Sequence, residues 1–300
     1  MMRFHSGEIA VQERAGVRDT AEDVAEGILA HIVPAATGFL ERRQMAVLGT
    51  VGDDGSVWAS VVAGEPGFIQ VADEHTLRIA LRSSRGDPLV HNLAVERHIA
   101  LFAPDFVTPR RLRVNGRGII RDGEIYITTQ EVYGNCRRYM QERIFLGFRQ
   151  TPDIDERRVE RTSILSPSQQ HQISQADTFF IATDHPRRGA DVSHKGGKPG
   201  FVRVLDPEHI AFPDYNGNSM FNSLGNLTVN PHAGILFIDF ASGRTLQITG
   251  SAAIDWDPTR ADSFAGAERV VDIKIAEIID DRLGFPLLSK FRQFSRFNPQ

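Results

Sequence analysis

The spacing of hydrophobic positions changes near residue 44. Before it, Val24, Ile28, Leu29 and Ile32 recur at helical spacing behind Thr20, a cap with Asp23 three residues on, and Pro34 closes the run. Residues 1–43 are predicted as a helical segment that packs on the strand-rich region beyond residue 44. From Gln44 the period drops to two. MAVLGTV and SVWASVV flank GDDG, which predicts a hairpin with Asp53 and Asp54 as solvated turn residues. Phe68, Ile69 and Val71 predict a third strand and LRIAL (77–81) a fourth. A Ser-, Arg-, Gly-, Asp- and Pro-bearing stretch then leads into a short helical run, LVHNLAVE. HIALFAPDF, RLRVNGRGII and EIYIT (124–128) predict further strands. Residues 129–148 read as a helix, so the first strand-rich region spans 44–148. Residues 149–176 read as a polar connection. A second strand-rich region covers 177–300. Within it Val271, Ile273 and Ile275 alternate with Asp272, Lys274 and Ala276, as in a half-buried strand.

The two strand-rich regions repeat each other. GEPGFIQV (64–71) returns as GKPGFVRV (197–204), and RLRVNGRG (111–118) as RTLQITGS (244–251). Asn92-Leu93 precedes AVERHIALFAPDF, and Asn226-Leu227 precedes TVNPHAGILFIDF. All three matches keep one order and one lag of 133 or 134 residues. A period this long points to a duplicated structural unit. The predicted fold is mainly β with flanking helices (α+β): two tandem small barrels, closed so that few sheet edges stay open, packed on each other as a pseudo-dimer.

Composition narrows the function classes. The chain has 300 residues, 41% hydrophobic and 24% charged, with a net charge of −4 and a pI near 6.2. That balance argues against generic nucleic-acid binding, which needs a clustered basic surface. No apolar run approaches the length that spans a membrane, and the N-terminus lacks a secretory core. With a single cysteine, Cys136, no internal disulfide forms. A cytoplasmic protein is expected.

Candidate chemistry gathers in SHKGGKPGFVRV (193–204) and PDYNGNSMFNSLGN (213–226). Cations (His194, Lys195, Lys198, Arg203) stand among Gly196, Gly197 and Gly217, with Ser193, Asn216, Asn218, Ser219, Asn222, Ser223 and Asn226. Glycines admit an anion close to backbone N–H groups. A helix starting near Asn218 would aim its positive end at the same place. Ordinary turns built from Asn, Gly and Ser are the competing reading. Cys136 beside Arg137 and Arg138 has no His or acid in its segment to complete a nucleophile, and packing is the better reading. The ten histidines show no metal-ligand spacing, so no metal site is expected.

The order GKPGFVRV, DYNGNSMFNSLGNLTVNPHAGILFIDF, TLQITGSAAI resembles the pyridoxamine 5′-phosphate oxidase-like, FMN-binding split-barrel family. The first half follows the same scheme more weakly, and YGNCRRYMQER and the opening FHSGE…VQERAG are similar to segments of relatives. The resemblance implies two split barrels holding FMN non-covalently between them. Phe201, Val202, Arg203 and Val204 would line the flavin. Ser193, Lys195 and Arg203 would meet the phosphate or the ring. Asn218, Asn222, Ser223 and Asn226 would sit beside the phosphate and ribityl chain. Met220, Asn222 and Gly225 stand where relatives carry charged residues. Phosphate affinity is then lower, or is supplied by Lys195, Lys198 or the other half, where Arg82, Ser83, Ser84 and Arg85 fall in the corresponding loop. The function expected is an FMN-dependent oxidoreductase acting with a small-molecule substrate or a nicotinamide donor. A non-catalytic flavin- or haem-binding sensor on the same fold is the alternative, and an interaction module without ligand the third. The family usually forms a homodimer, a need the tandem repeat can satisfy within one chain.

Overall fold

The computed structural model describes residues 3–81, 86–149 and 159–299. Three helices come first: α1 (Ser6–Arg14), α2 (Arg18–Ala25) and α3 (Pro34–Glu41). Pro34 opens α3 rather than ending a helix, because proline fits a first helical turn, where its missing N–H costs nothing. Leu29, read as helical, instead bridges to Val132.

The first unit comprises β1 (Met45–Val51), β2 (Val57–Ala63), β3 (Ile69–Asp73), β4 (Thr76–Ala80), α4 (Leu89–Val95), β5 (His98–Asp105), β6 (Arg110–Arg121) and β7 (Glu124–Gly134). β8 (Glu142–Phe148), β9 (Val159–Thr162) and α5 (Pro167–Gln175) come next. The second unit comprises β10 (Thr178–His185), β11 (Gly189–Gly196), β12 (Arg203–Asp206), β13 (His209–Asp214), α6 (Asn222–Val229), β14 (His232–Ile238), β15 (Thr245–Asp255), α7 (Pro258–Asp262) and β16 (Arg269–Asp281). β17 (Leu287–Gln293) ends it.

The first sheet runs β2-β1-β5-β6-β7-β4-β3 and the second β11-β10-β14-β15-β16-β13-β12, the same order element for element. The repeated residues hold equivalent structural positions. Gly116 and Gly250 sit at matching β-bulges, where a Cβ would lie 2.0 and 2.1 Å from the carbonyl oxygens of Thr128 and Lys274. Gly64 and Gly197 lie against the side chains of Phe68 and Phe201. Asn92 donates to Thr50 Oγ1 and Asn226 to Thr183 Oγ1, each at 3.0 Å, fastening the unit's helix to its first strand.

Each unit has its own core, one around Leu48, Ile79 and Leu101, the other around Phe179, Phe212 and Phe237. A third joins them: Val47, Ala59 and Phe102 pack against Phe180, Val192 and Leu236. The sheets approach closely enough that a Cβ on Gly234 would lie 2.6 Å from Val57 O.

Three further expectations are corrected. The segment 129–148 is not a helix. Val132 and Tyr133 continue β7 in register with β6, and residues 142–148 form β8, which pairs with β17. Tertiary pairing there overrides a helix-compatible pattern. The connection 149–176 contains β9, paired with β16, and α5, opened by a Ser166 capping box. The helix expected near Asn218 begins at Asn222. Arg82–Arg85 and residues 150–158 lie outside the described residues. No described helix is long and apolar enough to cross a membrane.

Candidate functional site

A cleft of about 100 Å³ opens where the two units meet. β11 supplies Ser193, His194 and Lys195. The loop 213–221 and the start of α6 supply Asn218, Asn222 and Ser223. The first unit supplies Arg111 and Arg113 from β6, and Asn135, Cys136, Arg138 and Tyr139 from the β7–β8 link. Arg111 and Arg113 are two residues apart on a strand, so they share a face. Asp191 and Ser193 share a face of β11 for the same reason.

Arg113 is compensated. Its guanidinium donates from one nitrogen to both oxygens of Asp191 at 2.9 Å, and Tyr133 donates to the same carboxylate at 3.0 Å. Burial, then the neighbouring Asp191, pushes the Tyr133 hydroxyl well above its ordinary range. Lys195 is also compensated, by Asp214 at 2.6 Å.

Arg111 is not compensated. Its one side-chain hydrogen bond among the described residues goes to His194 Nδ1 at 3.1 Å, and its Nε is buried without a partner. Burial and then Arg113 lower its pKa to about 9, so it remains charged at neutral pH. A guanidinium can only donate, so His194 Nδ1 accepts and the ring proton lies on Nε2, itself buried and unpartnered. Burial and then Arg111 hold His194 well below the usual imidazole range, so it is neutral. Its ring stacks on Phe102 at 6.2 Å. Both amide atoms of Asn135 are likewise buried without partners. Tyr139 and Tyr215, 5.0 Å apart, add aromatic surface. Cys136 lines the cleft, half-buried.

The residues expected from the sequence divide. Ser193, Lys195, Phe201, Asn218, Asn222 and Ser223 line the cleft. Ser193 and Ser223 bond each other at 2.6 Å, and Asn222 donates to Glu8 at 2.7 Å. Val202 is core, and Val204 packs against it. Arg203 turns outward, its guanidinium 3.8 Å from the Phe264 ring centre and bonded to Ser263 O. Asn226 is spent on Thr183 and His5. Arg111, Arg113 and Asn135 were not among the expected site residues. A signal existed: the repeat carries RLR in one copy and TLQ in the other. Among the described residues no group of three His, Cys, Asp or Glu is placed to hold a metal ion.

Residues 165–284, from just before α5 to just beyond β16, match the sequence model of the pyridoxamine 5′-phosphate oxidase family. The match covers most of the second unit and about two fifths of the chain. No curated protein sequence matches the chain. Among solved structures, Group A Streptococcus HupZ is 13% identical over 41% of this chain and 98% of its own, with a TM-score of 0.33. A putative pyridoxamine 5′-phosphate oxidase of Lactobacillus delbrueckii is 20% identical over 39% and 94%, with a TM-score of 0.32. The FAD-binding protein of Mycobacterium smegmatis is 16% identical over 36% and 94%, with a TM-score of 0.27.

Proposed function

We propose that this split-barrel protein binds FMN in the cleft between its two units and is a flavin-dependent oxidoreductase. One observation carries the reading: Arg111 is a half-buried arginine whose Nε is buried without a partner and which meets no carboxylate among the described residues, beside two more unsatisfied polar groups. An unpaired buried charge is costly, and an anionic ligand removes that cost. Arg111 Nε, His194 Nε2 and Asn135 suit a phosphate, as charge-assisted and neutral donors to its oxygens. Tyr139, Tyr215 and Phe201 suit the apolar faces of a planar ring. The flavin, when bound, supplies the redox chemistry, while the protein binds and orients it.

The chain's own groups then have separate tasks. Arg111 holds the charge. The Arg113–Asp191–Tyr133 cluster keeps the cleft wall rigid. The buried side of the cleft excludes water. A small organic molecule is the proposed substrate and a nicotinamide the proposed electron donor, both entering from the side of Arg138.

Titration with FMN, followed by quenching of flavin fluorescence, tests the reading. Arg111→Gln is expected to weaken binding by roughly 10-fold or more, as the loss of a buried charge-assisted bond predicts. Arg203→Gln, at a position that faces away, is expected to change it little. Failure of the wild-type protein to bind FMN, or equal affinity in Arg111→Gln, refutes the assignment. Bleaching of the bound flavin by NADH or NADPH under anaerobic conditions separates an enzyme from a binding protein.

A further inference from the structure

On its far side from the cleft, α6 is covered by α1. The two helices touch through glycines: a Cβ on Gly7 would lie 2.3 Å from Gly225 O, and one on Gly225 would lie 2.6 Å from Glu8 Cα. Glu8 is 5% exposed. One of its oxygens accepts from Asn222 Nδ2 at 2.7 Å, and the other accepts from His5 N at 2.8 Å to close a capping box. His5 meets Asn226 at 2.9 Å, and Gln12 Nε2 donates to Met220 O at 2.8 Å. The N-terminal segment thus grips α6 at Asn222 and Asn226, and the cleft loop at Met220. That loop holds two non-glycine residues in the left-handed region, Ser219 (φ 62°) and Phe221 (φ 59°). Such conformations persist where surrounding contacts impose them.

We propose that α1 is a detachable brace behind α6, the helix that lines the ligand cleft, and that Glu8 is the positioning residue that seats it there. The proposal rests on reading the cleft as the flavin site. With α1 seated, Asn222, Ser223 and the 217–221 loop are held against the cleft. With α1 released, they lose that support, and the α6 side of the cleft loosens.

Seating depends on the charge of Glu8. The groups facing it are His5 on its own element, Glu131 on β7, Asp191 on β11 and Arg188 just before β11. His185 on β10 stands 4.3 Å from the His5 ring. Burial raises Glu8 to about 8, with Glu131 and Asp191 adding to the effect. Asp191 and Glu131 are each paired with an arginine, Arg113 of β6 at 2.9 Å and Arg188 at 3.2 Å, so an ionised Glu8 would be a further buried carboxylate with only the His5 ring beside it, and ionisation works against docking. Seating is favoured when Glu8 is neutral and weakens as pH rises through the folded value.

Hydrogen exchange of the full chain, corrected for intrinsic rates, tests this on the amides of residues 6–14 and 222–229. Wild type and Glu8→Gln are compared at about pH 6.5 and about pH 9. Wild-type protection is expected to fall roughly tenfold or more across that range, with FMN affinity falling in step, while Glu8→Gln keeps its protection. The neutral amide can still accept from His5 N, and Asn222 can turn its own amide to suit. Equal wild-type protection at both pH values overturns the proposal, as does an equal loss in both proteins. A wild type that binds no FMN at either pH sinks the flavin reading instead, and the exchange data still decide the seating.

Discussion

The two units place Ser60 and Ser193 at corresponding positions, and their surroundings differ. In the second unit, Ser193 faces Arg113 and Arg111 of β6 across an open cavity with unsatisfied donors. At the same repeat lag in the first unit, Ser60 meets Gln247 of β15. There the described polar side chains bond one another. Ser60 donates to Asp87 at 2.6 Å, and Gln247 Nε2 reaches Ala59 O, Ser60 Oγ and Asp87 at 3.0, 3.1 and 3.3 Å. One backbone plan thus carries a hydrogen-bonded polar cluster in the first unit and an arginine without a carboxylate partner among the described residues in the second. The two sheets share one strand order, while two strand positions differ: Arg111 and Arg113 in the first sheet stand where Thr245 and Gln247 stand in the second.

The sharpest break in this comparison comes at Arg113. Replacing it with Met strands the Asp191 carboxylate, 3% exposed, without its cation. A loss of about 3–5 kcal/mol is expected, seen as a lowered denaturation midpoint in urea. Arg111→Gln in the same cleft is expected to leave stability unchanged or raised, since it removes a charge with no partner. Equal losses in the two variants refute the division into structural and binding arginines.

The frame itself is predicted to be symmetric. Gly116→Ala and Gly250→Ala each place a methyl group against a backbone carbonyl at a bulge. Each is expected to cost about 1–3 kcal/mol, by the same amount within error. A large asymmetry in thermal unfolding indicates that the bulges are not equivalent.

A smaller effect separates the units by pH, because α1 grips α6 of the second unit. Burial, then His185, lowers His5 from 6.5 to about 4, while burial raises Glu8 from 4.5 to about 8. Between pH 4.5 and 6.5 the folded pair holds one proton, and so does the unfolded pair, so stability is flat. Above 6.5 the unfolded chain has lost that proton while Glu8 retains it, and stability declines until the pH passes about 8. Below 4.5 the unfolded chain binds a second proton that buried His5 refuses, and stability declines again. The alkaline loss is expected to be about 2 kcal/mol, at about 1.4 kcal/mol per pH unit. It should vanish in Glu8→Gln when unfolding is measured across the range. An alkaline loss retained in that variant assigns it to another group.

Much of the fold was legible in the residues, for a local reason. Gly116 and Gly250 mark bulges that leave no room for a Cβ. Gly67 and Gly200 adopt φ of 96° and 89°, and Asn92 and Asn226 lock helix to strand. Each requirement is met by one residue type at one place, so the repeat displays it, and alternating hydrophobicity shows which strands are half-buried. The segment 129–148 misled, because partner strands far away in the chain decide between helix and strand there.

The cleft depended on how the chain packs. Lys195 and Arg203 read as ligand cations, yet Asp214 engages the first and Phe264 with Ser263 the second. Arg111 read as a strand residue, yet packing the two units face to face brings it to His194 and leaves it without a counter-charge. Whether a cation is spent or free depends on partners that approach through space, and the order of residues along the chain does not encode that approach. Local residue requirements thus set the two-unit frame and its glycine-dependent turns. The packing of one unit on the other set which charges remain available.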